Sequence, residues 1–116
     1  MEEKYGKYEA IVRPLAEQHD GRVAAFPVGR HGVWVVRAAT GTEMRRHTKL
    51  FRLYQEQKND EGIEGLAAMM AKACTIHPTD LSAQDAIIED YPTLVVKVFR
   101  RIQELSGDEV EELGKA

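Results

Sequence analysis

Cysteine is almost absent from this 116-residue chain: Cys74 stands alone, so no intramolecular disulfide can form. A reducing compartment, the cytosol, is the expected address. Long apolar runs are missing too. The longest, Gly65–Ala71 and Gly32–Val36, fall far short of the ~20 residues that a membrane span needs. The opening Met1-Glu2-Glu3-Lys4 is acidic and polar, without the apolar core of a secretory signal. No internal repeat and no low-complexity tract is visible. The sequence therefore excludes a disulfide scaffold, a helical membrane protein and a repeat array.

What is present suits one globular domain. Hydrophobic residues make up 43% of the chain and charged ones 30%, enough apolar material for a modest core. The net charge of −3 hides a polarity. Residues 1–58 carry 11 Lys/Arg against 7 Asp/Glu, and residues 59–116 carry 5 against 12. Such a chain is suited to self-association or to a partner of opposite pattern.

Periodicity predicts an α+β fold over residues 1–107, followed by a short acidic tail at 108–116. Between Lys4 and His19, Tyr8, Ile11, Val12 and Leu15 recur at helical spacing, and Asp20-Gly21 supplies a stop. Pro14 should kink or restart that helix near Arg13. Arg22–Val28 and Gly32–Ala39 flank a Gly-bounded turn and read as a β-hairpin, with Pro27 confining the first strand to an edge. Its Val23, Phe26, Trp34 and Val36 must pack on helices.

About four helices follow. Thr40 and Glu43 fit a capping box, opening a helix to about Gln57. Its inward stripe is Met44, Thr48, Phe51 and Tyr54, widened by Leu50 and Leu53. A second helix carries Ile63, Leu66, Ala67, Met70, Ala73 and Cys74, ending before His77-Pro78. Ser82 caps a short third helix. Pro92 starts the last, with Leu94, Val95, Val98, Phe99, Ile102 and Leu105 strongly periodic and Ser106-Gly107 as its stop.

No catalytic, metal or cofactor site emerges. Cys74 and His77 form a lone C-x-x-H, and His19, His31 and His47 lie on other elements, whereas zinc wants four converging ligands. The pairs Glu89-Asp90 and Glu111-Glu112 are adjacent and diverge on a helix, so they do not form a convergent acid/base couple. Gly29, Gly32 and Gly41 have turn and cap spacing, not that of a phosphate cradle. The sharpest surface feature is a run of cations, Arg45, Arg46, Lys49 and Arg52. It would suit a solvated face, a protein contact, or a small nucleic-acid-binding regulator, the last opposed by the acidic whole.

The order of these motifs resembles the small tail assembly chaperones of long-tailed bacteriophages and prophages. The resemblance runs from about Gly21 to Gly107. It rests on the strand Val33-Trp34-Val35-Val36-Arg37, the capped Arg-rich helix from Thr40, the Cys74–Pro78 segment, the Tyr91-Pro92 helix start and the close Val98–Gly107. It implies a non-enzymatic protein of the bacterial host cytosol, absent from the mature virion, that binds the tape-measure protein and the major tail protein. It also implies that a longer frameshifted form can arise near the end of the reading frame, where Gly114-Lys115 stands. On that reading Trp34, Arg45, Lys49 and Arg52 rim an apolar groove for a helical client, although the residues themselves favour core packing for Trp34.

Overall fold

The structure, a computed structural model, describes residues 5–107. Helix α1 (Glu9–Gln18) follows a 3-10 turn at Gly6–Tyr8 and leads to strands β1 (Val23–Pro27) and β2 (Val33–Arg37). Then come α2 (Gly41–Glu56), α3 (Asp60–Ala73), β3 (Thr75–His77), α4 (Leu81–Asp90) and α5 (Pro92–Gly107). The α+β class is as the sequence indicated. No helix among the described residues is long and apolar enough to cross a membrane.

The strands form one antiparallel sheet in the order β1-β2-β3. Strand residues alternate faces, and here both faces are covered. Val23, Val33 and Val35 pack with Val12 and Ala16 of α1. Ala24, Trp34 and Val36 pack with α3, α4 and α5, against Met70, Ile87, Val98 and Ile102. The four apolar hairpin residues thus do not share a face: Val23 turns to α1, the other three to the larger core.

Strand β3 is a third strand beyond the expected hairpin. Arg37 N–H donates to Cys74 O at 2.9 Å, and Val35 pairs with His77. Drawing Cys74 onto β2 ends α3 at Ala73, earlier than the His77-Pro78 boundary implied. Trp34 locks the junction: its Nε1–H donates to Thr75 Oγ1 at 2.9 Å, and the Thr75 hydroxyl donates to Ala71 O at 2.6 Å.

Other differences have local causes. Helix α1 runs unbroken through Pro14, whose missing N–H leaves Ala10 O on the solvent side, where water can satisfy it. Its buried residues are Val12 and Ala16, and Ile11 lies outside. Asp20 and Gly21 both take positive φ, and Gly21 N–H closes on Ala16 O at 2.7 Å, which is the expected stop. In α3, Ala71 is buried where Ala73 was expected. The α4 cap is Asp80, not Ser82: its carboxylate accepts from Ser82 N–H. Ser106 lies inside α5, donating to Ile102 O and accepting from Ala39 N–H. The tail at 108–116 lies outside the described residues.

Candidate functional site

Helix α2 carries the cations singled out in the sequence, and its position is set at its first turn. Thr40 Oγ1 accepts from Glu43 N–H at 3.1 Å while Glu43 Oε1 accepts from Thr40 N–H at 2.9 Å, completing the capping box. The same carboxylate receives Arg37 from the end of β2, at 2.8 Å from Nη1 to Oε1 and 3.0 Å from Nη2 to Oε2. This two-pronged contact fixes geometry as well as charge. Arg37 also donates to Ala73 O, at the last turn of α3, so one guanidinium ties three elements together. The Arg37 contact holds the Glu43 carboxyl down at about 2. Beside it, burial pushes the Cys74 thiol up to about 11, so it is not a poised nucleophile. Arg37 was not singled out in the sequence, because its contact with Ala73 O joins residues far apart in the chain and its pairing with Glu43, six residues on, follows no regular helical or strand spacing.

From there α2 lies across the outside of the molecule. It contains no fully buried residue. Its partly covered positions are Glu43, Met44, His47, Leu50 and Tyr54, while Thr48, Phe51 and Leu53 are exposed. The face is therefore rotated from the expected Met44, Thr48, Phe51, Tyr54 stripe. His47 supplies the seat on α5, its ring 5.0 Å from that of Phe99. Burial lowers the His47 pKa, favouring the neutral ring. Tyr54 closes on α3 at Gly62, where an added Cβ would stand 2.8 Å from Tyr54 Cγ. Only glycine admits that approach.

The opposite face of α2 presents Arg45, Lys49 and Arg52 to solvent, with Met44 and Leu53 lining the same shallow concavity. Arg46 lies beside them. Arg45 donates to Thr42 Oγ1 at 3.2 Å. Among the described residues, none of these four cations forms an ion pair. Three cations against one acid, Glu56, interleaved with the half-covered Met44 and the exposed Leu53, can hold an acidic, amphipathic segment. They offer no nucleophile or acid/base couple to a small substrate.

Trp34 does not belong to this surface. It is 1% exposed and sits between the sheet and the helices, so the expected rim role is corrected: the bulk of the indole and its Thr75 partner draw it into the core. The structure thus brings Arg45, Lys49 and Arg52 together and separates Trp34 from them. Leu53 and Phe51 were read as core residues and instead lie at 43% and 36% exposure, apolar additions to the outside of α2. Among the described residues, no group of three or more His, Cys, Asp or Glu could hold a metal ion. Cys74 is buried at the end of α3 and His77 lies on β3.

A second polar cluster lies elsewhere, at the hairpin turn. Asp90 Oδ2 receives His31 Nε2 at 2.7 Å and Arg30 Nη2 at 3.4 Å, joining the turn to the end of α4. These contacts hold Asp90 below the usual carboxylate range, the His31 hydrogen bond first. It is a tether between the hairpin turn and the last residue of α4. No family model, no curated protein and no solved structure matches this chain.

Proposed function

We propose that this chain is a non-enzymatic binding protein of the tail assembly chaperone type that its sequence resembles, holding the tape-measure protein in the host cytosol and releasing it before the virion is complete. The observation that carries the reading is α2: a 16-residue helix with no buried residue and a face of cations without ion-pair partners among the described residues. A helix left so exposed gains little from its own core. It is suited to laying alongside a client helix whose apolar stripe needs cover and whose flanks carry Asp or Glu. The major tail protein would be the second partner, and copies of the chain could line up along one client.

The test is co-expression with the longest helical open reading frame found nearby in the genome. We expect a complex that survives purification and keeps the long protein soluble. If the long protein is equally soluble alone and no complex forms, the reading is wrong. A nucleic-acid-binding regulator would use the same four cations, and a salt-dependent mobility shift with DNA or RNA would favour it instead.

A further inference from the structure

The outer edge of β1 is a second surface, and its geometry is set by hydrogen-bond parity. In an antiparallel pair, alternate residues aim both backbone groups at the partner strand. Ala38 N–H donates to Arg22 O, and Val28 N–H donates to Gly32 O, so the even residues of β1 face β2. Arg37 N–H, donating to Cys74 O, shows the odd residues of β2 facing β3. It follows that Val23 and Ala25 aim their N–H and C=O groups away from the sheet. Pro27 shares their phase, which explains how a residue without an N–H fits inside the strand. Among the described residues no strand pairs with this edge.

The edge lies in a groove. Tyr5 forms one wall, Arg101 and Leu105 of α5 the other, and Val23 to Phe26 the floor. Tyr8 and Pro27 continue it toward the hairpin turn. The rims are cationic. Arg13 lies over the Tyr5 ring and Lys7 over the Tyr8 ring, while Arg22 marks the start of the strand. Among the described residues, Arg13 is paired with Glu9 and Arg101 with Glu104, so the excess positive charge rests on Lys7 and on Arg22, which donates to the neutral Leu105 O.

We infer that this edge accepts an extended acidic segment of a partner protein as an added strand, with main-chain bonds to Val23 and Ala25 and carboxylates toward Arg22 and Lys7. Edge addition of this kind draws affinity from the backbone and selectivity from flanking side chains. A second copy of this chain is a poor occupant, because pairing β1 with β1 would set these cationic rims against each other. The surface is separate from the outer face of α2.

Amide hydrogen exchange on the full chain tests it, with the capped heptapeptide Thr-Glu-Val-Glu-Val-Glu-Thr as probe. Val23 and Ala25 should exchange faster than Ala24 and Phe26 in the free chain, and the peptide should slow them. Ala25→Pro removes one outward donor without touching the ladder to β2, and should weaken peptide binding by about tenfold or more. If that variant does not fold, Arg101→Glu serves: it should weaken the acidic peptide and favour its lysine counterpart. Reversing Arg45, Lys49 and Arg52 should leave peptide binding unchanged, so this inference and the α2 reading can fail separately. Protection of Val23 and Ala25 in the dilute free chain would show the edge covered by its own chain. Protection growing with chain concentration would show a second copy. Either result, or no slowing by the peptide, overturns the inference.

Discussion

Three side chains make the clearest statements at the scale of the residue. Glu43 closes the capping box and receives Arg37, and its carboxyl is held at about 2 against an ordinary 4.5. A lowered folded pKa means that the charged form stabilises the fold, fully above about 4.5, with the gain lost as pH falls toward 2. Urea titrations across that window should show Glu43→Gln with a shallower pH dependence than the parent, and a lower midpoint at pH 7. Cys74 is buried with its thiol raised to about 11, so a thiol reagent at pH 7.5 should label it only as the chain unfolds. Trp34→Ala should cost about 3–5 kcal/mol in denaturant unfolding, through lost packing and the lost indole donor to Thr75 Oγ1. The capping box was legible because its two residues are three apart. The Arg37 bridge was not, since Ala73 O is brought to it only by the sheet.

Among the elements, α2 shows best where periodicity misleads. The side toward the molecule includes Glu43 and His47, so its seam is partly polar, and the apolar Phe51 and Leu53 are left outside. A stripe read from hydrophobicity alone is therefore rotated from the covered face, keeping Met44, Leu50 and Tyr54 and missing on Thr48, Phe51 and Leu53. Strand β3 was hidden for another reason: three residues are too few to display alternation, and they follow directly on a helix. The α2–α3 turn places Lys58 at φ 54, a left-handed position that costs a side-chain-bearing residue about 1 kcal/mol. Lys58→Gly should raise the melting temperature, the relief of strain outweighing the extra freedom of the unfolded chain. His47 adds a pH effect. Its pKa is lowered from 6.5 by burial, so its contribution is present above that value and lost as pH falls below it. The protection factors of α2 amides, corrected for the intrinsic pH dependence of exchange, should fall from pH 7 to pH 5, and His47→Phe should abolish the change.

Across the whole molecule, the sheet covered on both faces explains the rest. One small helix, α1, closes one side, three helices close the other, and α2 is left over, packed mainly on α3 and touching α5 through His47. The expected order of helices and hairpin was sound, and of the six periodic residues read in α5, Val95, Val98, Ile102 and Leu105 are buried while Leu94 and Phe99 pack half-buried against the same core. Which hairpin side chains face which layer was not legible, since both faces of this sheet are apolar. The polarity of charge along the sequence persists in part: the cations of α2 stand at the surface, and α3 opens on Asp60 and Glu61. The account turns on whether that cationic face holds the client. The most direct measurement is co-purification of the tape-measure protein with the parent chain and with the Arg45→Glu, Lys49→Glu, Arg52→Glu variant, their folding matched by circular dichroism. We expect the parent to retain the client and the variant to lose most of it, with losses in the parent as salt is raised. Equal retention by a folded variant would contradict the account.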